Sequence, residues 1–195
     1  GCGTAVAAIK DETIVDLARF MRRLHDVSAG FLPRAIASGW RNPHIPQESC
    51  EIICHGDAAI WNFVFVQDRL AGLIDFDGAC PGTRVWDLTL TVFSAVELTY
   101  FVSVPELKTS VDYEPSKHAA ERRRRIRLFF GAYGMPCPPN FIELVAQRIQ
   151  RDFCDDMIQG AAAGDENCIR CIREGHLAHY QKIVSHLETC GQDWV

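Results

Sequence analysis

The hydrophobic and polar positions along the chain predict a short β-rich stretch set between helical regions. Over residues 11–26 an apolar residue recurs every three or four positions, which is typical of an amphipathic helix. Asp11 or Thr13 is expected to cap this helix. Residues 27–50 include Pro33, Gly39, Pro43 and Pro46, which break regular structure, so we predict a loop with at most a short helix.

Three short strands are predicted after this loop. They cover residues 51–54, 62–66 and 70–75, where apolar side chains dominate. Gln67-Asp68-Arg69 has the composition of a turn, so we expect the second and third strands to form a hairpin.

The remainder of the chain is predicted to be helical. The sequence shows no repeat, no low-complexity tract and no linker that would divide it. Residues 1–195 are therefore expected to form a single α+β domain, mostly helical, with a small β-hairpin. The predicted helices cover residues 86–101, 117–133, 141–160 and 165–189.

Composition and charge exclude several classes of protein. Apolar residues make up 48% of the chain and charged residues 23%, which excludes wholesale disorder. Acidic residues number 25 against 20 basic ones, and this net charge of −5 argues against a protein that binds nucleic acid. No apolar run reaches the roughly 18 residues that a membrane-spanning helix requires, so no membrane partner is expected.

Nine cysteines are present without a secretory signal, which favours reduced thiols in a cytoplasmic protein. Cys168 and Cys171 have the spacing of zinc ligands, and His176 and His179 follow, so a zinc site is one interpretation. The segment also has the pattern of a continuous helix over 166–188. Buried, inert cysteines on that helix are the favoured interpretation.

Oxygen-bearing side chains occur together around the predicted hairpin. Asp57 and Asn62 lie five residues apart in a loop between two strands, and Asp75 ends the following strand. Asp77 is expected on the same side as Asp75, because side chains alternate along a strand with a period of two. Carboxylate and amide oxygens suit Mg²⁺, whose coordination is completed by water and phosphate. These residues are therefore candidates for a magnesium site.

Four motifs resemble one enzyme family, that of the aminoglycoside phosphotransferases and related small-molecule kinases. They are His55-Gly56-Asp57-x-x-x-x-Asn62, Ile74-Asp75, Pro81-Gly82-x-x-x-x-Asp87-Leu88 and the helix of residues 17–25. The resemblance implies the large C-terminal lobe of a protein-kinase-like fold. It also implies roles for individual residues.

Under this resemblance Asp57 is the catalytic residue, which either accepts the proton of the substrate hydroxyl as a base or orients that hydroxyl, and His55 braces its loop. Asn62 and Asp75 bind Mg²⁺ and thereby hold the phosphates of ATP or GTP. Asp77 is either a second metal ligand or a hydrogen-bonded support. Ala59 stands where Ser/Thr protein kinases commonly have lysine, which argues against a protein substrate.

Other residues near the motifs are assigned to support and packing. His25 and Asp87 are expected to be structural supports. Trp61 and Phe76 are expected to pack in the core or the loop, with an exposed Trp61 lining the acceptor pocket as the alternative.

Two charged stretches have two interpretations each. Arginines at 122–125 and 127 are expected to form a solvated helix surface with ion pairs, in preference to a phosphate or RNA site. The acidic residues form either plain helix ends or, as we slightly favour, a wall that attracts a cationic acceptor. They are Asp152, Asp155, Asp156, Asp165 and Glu166.

The small lobe that would grip the nucleotide has no counterpart in the sequence. There is no G-x-G-x-x-G motif, and Lys10 is the only lysine before Lys108. The start at Gly1 has no initiator methionine and is typical of a processed, tagged or cut end. We expect the small lobe to be reduced or truncated before residue 1.

The resemblance therefore implies a Mg²⁺-dependent phosphotransferase. Its substrates are expected to be ATP or GTP and a hydroxyl of a small polar molecule, such as an aminoglycoside, another sugar or an amino alcohol. The alternative is a catalytically impaired remnant that acts as a binding module because the small lobe is missing.

Overall fold

The computed structural model describes residues 9–32, 40, 49–104 and 108–195. These residues belong to two compact units. The N-terminal unit draws on residues 9–97 and 124–137, and the C-terminal unit on residues 98–123 and 138–195. The single domain expected over the whole chain stays a prediction.

Among its described residues, the N-terminal unit has two α-helices and four strands. In chain order these are α1 (Asp11–Ala29), β1 (Ile52–Cys54), β2 (Phe63–Val66), β3 (Arg69–Leu73), β4 (Cys80–Gly82) and α2 (Arg84–Val96). Most of the loop predicted over 27–50 lies outside the described residues, and α1 extends three residues into it.

Helix α1 confirms the predicted amphipathic pattern. Ile14, Leu17 and Met21 are completely buried, as their helical spacing requires. The predicted cap is wrong, because Lys10 precedes the first helical residue and no side chain caps the helix. Asp11 lies inside the helix, where its carboxylate accepts two hydrogen bonds from Arg124 at 2.7 and 2.9 Å.

Strands β2 and β3 form the predicted antiparallel hairpin. Phe63 pairs with Leu73 and Val66 with Arg69. Gln67 and Asp68 make a two-residue turn, with φ of 50° and 59°. Positive φ at both turn residues matches the right-handed twist of the strands, so the chain reverses within two residues and Arg69 already belongs to β3.

A second antiparallel pair joins β1 to β4 and was not predicted. Ile52 lies opposite Gly82, and Cys54 lies opposite Cys80. The short β4 strand contains proline and glycine, which are depleted in strands, so its sequence gives little indication of β structure.

Helix α2 starts two residues before the predicted position and ends five residues before the predicted end. Thr83 caps it by accepting the N–H of Trp86 at 3.2 Å. Glu97 adopts a left-handed conformation with φ of 58°, which terminates the helix at Val96. The helix predicted through 101 is wrong there, because residues 101–104 form a strand.

The C-terminal unit contains a hairpin and a set of helices. Its elements are β5 (Phe101–Val104), β6 (Thr109–Asp112), α3 (Pro115–Tyr133, shared with the N-terminal unit from 124 onwards), α4 (Phe141–Ile149), a π-helical segment (Gln150–Asp155), α5 (Asp156–Ala162), α6 (Glu166–Arg173), α7 (His176–Cys190) and a 3₁₀ turn (Gly191–Trp194).

Arg122 is buried in this unit, so the expectation of a solvated surface is wrong for this arginine. Its guanidinium donates to the carbonyls of Thr99 at 2.6 Å and Phe101 at 3.1 Å. It also lies over the rings of Tyr113 and Trp194, at 4.2 and 4.6 Å from their centroids. Arg122 therefore ties the start of β5 to the end of the chain.

The last predicted helix is interrupted in the structure. Gly175, with φ of 88°, separates α6 from α7, so the continuous helix over 166–188 is wrong. Cys168 and Cys171 are partly exposed, which contradicts the expectation that they are buried. In the part of the chain that the structure describes, no three His, Cys, Asp or Glu side chains are grouped to hold a metal ion.

The fold as a whole is α+β and mostly helical, as predicted. Within the described ranges, no helix combines the length and the apolar character needed to cross a bilayer.

Candidate active site

The predicted site residues lie in two loops of the N-terminal unit. Loop L1, residues 55–62, connects β1 to β2, and loop L2, residues 74–79, connects β3 to β4. Because β2 pairs with β3 and β1 with β4, both loops emerge at neighbouring strand ends.

Within L1 the side chain of Asn62 holds Asp57. The Asn62 side-chain nitrogen donates to the Asp57 backbone carbonyl and to the Asp57 carboxylate, each at 2.8 Å. Both amide hydrogens of Asn62 are thus engaged inside the loop. Its amide oxygen, which can only accept, remains as the atom through which Asn62 could bind a cation.

Loop L2 begins at Ile74, whose backbone is hydrogen-bonded to Asn62 of L1. The N–H of Ile74 donates to the carbonyl of Asn62 at 3.0 Å. Asp75, the next residue, is exposed and adopts a left-handed conformation with φ of 68° and ψ of 64°. Such a conformation is uncommon for a residue other than glycine and is concentrated at functional sites.

Asp77 lies in a 3₁₀ turn, Phe76–Gly78, that follows Asp75. The argument that placed Asp75 and Asp77 on one side of a strand is therefore wrong, because β3 ends at Leu73. A metal-binding role for Asp77 stays a prediction.

His55 joins the two loops through its ring. Its Nδ1 lies 3.1 Å from the backbone N–H of Asp57, which can only donate, so Nδ1 is the acceptor. Nε2 therefore carries a hydrogen and donates it to the carbonyl of Ile74 at 2.9 Å. The ring of Phe76 contacts the His55 ring edge to face, with centroids 4.2 Å apart.

Two glycines let the backbones of the loops touch. Gly56 has φ of 85°, and a Cβ built on it would lie 2.0 Å from the carbonyl oxygen of Gly78. Any side chain at Gly56 would therefore push L1 and L2 apart.

Asp87 on α2 holds the start of L1. Its carboxylate accepts the backbone N–H groups of His55 at 2.8 Å and Gly56 at 2.9 Å, and Nε2 of His25 at 3.0 Å. Burial alone would raise the pKa of this carboxyl. The hydrogen bond and the electrostatic interaction with His25, together with the two amides, outweigh burial and lower the pKa below its ordinary value.

The support extends from His25 to residues that the sequence analysis missed. Nδ1 of His25 lies 2.7 Å from the hydroxyl of Tyr133, which Arg84 approaches at 3.4 Å. Arg84 in turn pairs with Asp26 at 2.7 Å. No local pattern links His25 to Tyr133, which is 108 residues away in the chain.

Helix α2 also anchors the middle of L1. The hydroxyl of Thr91 donates to the carbonyl of Ala58 at 2.6 Å. The hydroxyl oxygen of Ser94 accepts the N–H of Ile60 at 2.9 Å and donates its own hydrogen to Leu90. These contacts satisfy backbone groups of L1 that regular structure leaves unpaired.

Comparison with known proteins bears on this same region. Residues 34–103 match the sequence model of the phosphotransferase enzyme family. The family resemblance indicated by the motifs is thereby confirmed over this segment. The curated proteins and the solved structures gave no significant match.

The phosphotransferase segment, residues 34–103, contains both loops and all the predicted site residues. Trp61 in L1 is 55% exposed, so the expectation that it packs in the core is wrong. Phe76 in L2 packs on His55, as expected for loop packing, although it remains 48% exposed.

The oxygen atoms in the phosphotransferase segment are compatible with a magnesium ion. Mg²⁺ is usually held by one or two protein ligands, with water and phosphate oxygens completing six positions. The amide oxygen of Asn62 and the exposed carboxylate of Asp75 are hard donors of this kind. The structure does not bring Asp57, Asp75 and Asp77 into one three-carboxylate group.

The acidic stretch lies outside the phosphotransferase segment, in the C-terminal unit. Asp165 caps α6 by accepting the N–H groups of Asn167 and Cys168 at 2.8 and 3.1 Å. Asp152 forms an ion pair with Arg148, but burial raises the pKa of Asp152 above its ordinary value. A role of this stretch near an acceptor stays a prediction.

Proposed function

We propose that this protein transfers the γ-phosphoryl group of ATP or GTP to a hydroxyl of a small polar molecule, with Mg²⁺. The family match supports phosphotransferase chemistry in general. The nucleotide, the metal and the acceptor are our proposals.

One observation carries the proposal: the two loops are joined by hydrogen bonds through His55 and Asn62. The ring of His55 accepts the N–H of Asp57 and donates to the carbonyl of Ile74. The N–H of Ile74 in turn donates to the carbonyl of Asn62. Asp57 and Asp75 are therefore held by one connected backbone framework. Phosphoryl transfer depends mainly on positioning and charge neutralisation, which such a framework supplies.

The roles of the side chains follow from their chemistry. Asp57 accepts the hydroxyl proton while the acceptor oxygen bonds to the γ-phosphorus and the bond from that phosphorus to the bridging oxygen breaks. Asn62 and Asp75 are the residues that would hold Mg²⁺. When bound, that ion neutralises the charge of the phosphates. His55 keeps Asp57 in place through its backbone N–H.

The decisive experiment measures transfer of labelled γ-phosphate to a panel of hydroxyl acceptors. The panel contains aminoglycosides, other sugars and amino alcohols, each tested with ATP and with GTP in the presence of Mg²⁺. We expect a phosphorylated product for one acceptor class, and no product when Mg²⁺ is removed with a chelator. Absence of both product and nucleotide binding would contradict the proposal.

A second candidate is a module that binds nucleotide without turnover. It is favoured by the absence of a G-x-G-x-x-G motif from the 195 residues and of any lysine between Lys10 and Lys108. Calorimetric binding of Mg²⁺ and ATP without product from any acceptor would identify this candidate. Product formation would exclude it.

A further inference from the structure

Two cysteines occupy opposite positions of the β1–β4 pair at the base of the candidate site. Cys54 at the end of β1 lies directly opposite Cys80 at the start of β4. Both are only 1% exposed, and both are thiols in this structure. Residues directly opposite in an antiparallel pair project from the same face, so the two sulfur atoms lie on one side of the strands.

The spacing of such a pair is suitable for a disulfide. Opposite residues in antiparallel strands have Cα atoms about 4.5–5.5 Å apart, and disulfides span about 4.4–6.8 Å between Cα atoms. The two Cβ atoms need to approach only slightly, because the range for opposite pairs, about 4.5–5.5 Å, borders that of disulfides, about 3.5–4.5 Å.

The sulfur of Cys54 lies over Gly82 in this structure. The thiol lies 3.5 Å from the carbonyl of Thr83, in the direction of Gly82. A Cβ at Gly82 would lie 2.6 Å from this sulfur, so glycine is what makes room for it. Rotation about the Cα–Cβ bond of Cys54 carries the sulfur from this position towards Cys80.

Cys54, unlike Cys80, is one of the residues that line a cavity beside β1. This cavity has a volume of about 440 Å³, and its wall includes Leu24, Ile53 and Phe76. A water molecule occupies about 30 Å³ in the liquid, so this cavity admits hydrogen peroxide. Cys80 is not part of the wall described for the cavity, and we expect it to react second.

We propose that Cys54 and Cys80 form a reversible oxidation site for hydrogen peroxide. The Cys54 sulfur attacks a peroxide oxygen, the O–O bond breaks, and Cys54 sulfenic acid forms with release of water. The Cys80 sulfur then attacks the Cys54 sulfur, the S–O bond breaks, and a second water leaves as the disulfide forms. The two thiols lose two electrons to one peroxide, and a dithiol reductant returns them.

The disulfide encloses both loops of the site. It closes residues 55–79 into a covalent ring that contains Asp57 and Asp75. The oxidation state of the pair therefore sets the distance between the end of β1, where L1 begins, and the start of β4, where L2 ends. This chemistry does not depend on the proposed transfer reaction.

The test treats the full chain with hydrogen peroxide and digests it without reduction after arginine and glutamate. We expect residues 52–69 to be linked to residues 70–84, and the link to disappear with dithiothreitol. Cleavage after Glu51 separates Cys50 from Cys54, so the linked sulfur is assigned without ambiguity.

Single variants establish the order of reaction. In Cys80→Ala, a sulfenic acid reagent such as dimedone is expected to label Cys54 severalfold more than in the parent chain. In Cys54→Ala, Cys80 is expected to stay unlabelled. Cys154→Ala, the same substitution at another buried cysteine, is expected to retain the 54–80 link.

Three results would overturn the proposal. One is the absence of the linked peptide in the parent chain after other cysteines have been oxidised. Another is a link that joins Cys50 to Cys80 in place of Cys54. The third is equal labelling of Cys54 in the parent and in Cys80→Ala. The first two need no variant, so a variant that fails to fold does not prevent a decision.

Discussion

The backbone N–H of Gly56 donates to the buried carboxylate of Asp87 at 2.9 Å. A negative charge on α2 thus fixes the residue that precedes Asp57. The hydrogen bonds to His25 and the two amides stabilise the ionised form of Asp87 despite its burial.

Replacing Asp87 with asparagine is expected to destabilise the chain by about 3 kcal/mol or more, as is typical when one partner of a buried charged network is lost. The folded pKa of Asp87 lies below its ordinary value of 3.8. Its contribution to the free energy of unfolding is therefore present at neutral pH and is lost as the pH falls below that value. Urea unfolding between pH 7 and pH 3 measures both effects.

The free energies of unfolding of the parent and of Asp87→Asn should differ most at neutral pH and become similar in acid. Asp26→Asn is the matched control, because Asp26 is about half exposed and pairs with arginines at the surface. Asp26→Asn should lower the free energy of unfolding much less than Asp87→Asn does. A pH-independent difference between the parent and Asp87→Asn would contradict this account.

Asp57→Asn is expected to lower phosphoryl transfer by about a hundredfold or more, which is the contribution of a general base. The melting temperature should change little, because the new amide oxygen can still accept from Asn62. Asp68→Asn, the same substitution in the exposed hairpin turn, should leave the rate unchanged. Full activity of Asp57→Asn would remove Asp57 from the mechanism.

Asp75→Asn is expected to raise the Mg²⁺ concentration for half-maximal rate by about tenfold or more. Asp77→Asn should raise it less, because Asp77 lies in the turn after Asp75 and no three-carboxylate group forms among the described residues. Magnesium titrations of the initial rate compare the two variants. A larger shift for Asp77→Asn would reverse the assignment.

Gly56→Ala is expected to reduce stability by about 2 kcal/mol or more, because the new methyl group would meet Gly78 and the positive φ disfavours alanine. Transfer activity should fall with it as L1 and L2 separate. Gly72→Ala in β3 is the control, since a Cβ there meets nothing within 4 Å. Thermal unfolding measures the stability of both variants. Equal stability would show that the close contact of Gly56 with Gly78 does not exclude a side chain at Gly56.

Trp61→Ala is expected to raise KM for the acceptor while leaving KM for the nucleotide and the melting temperature nearly unchanged. The indole is 55% exposed next to Asn62, so its loss removes contact area for a substrate and little from the core. Phe65→Ala, at another partly exposed aromatic residue of the same unit, should leave both KM values unchanged. An increase confined to the nucleotide would place Trp61 at the other substrate.

Features encoded by neighbouring residues could be predicted from the sequence. Helix α1 follows from a single apolar stripe, and the β2–β3 hairpin follows from two apolar runs around Gln67 and Asp68. The family resemblance could be predicted because L1 and L2 carry their motif residues at fixed spacing within short segments.

Features that depend on distant residues could not be predicted. The β1–β4 pair joins two three-residue strands with 25 residues between them, and the second strand contains Pro81 and Gly82. The support of His25 by Tyr133 joins different helices, and burial of Arg122 depends on the ring of Tyr113, which follows β6, and on the ring of Trp194. Such contacts are determined by tertiary packing, which overrides local propensity.

Thr91 and Ser94 reach from α2 into the interior of L1, where they complete the hydrogen bonds of Ala58 and Ile60. The conformation of the loop therefore depends on α2 as well as on the contacts that His55 and Asn62 make within it. A chimera that takes residues 55–62 from a related chain should keep the loop conformation only when α2 is taken from the same chain, so the junction of such an exchange belongs beyond residue 94.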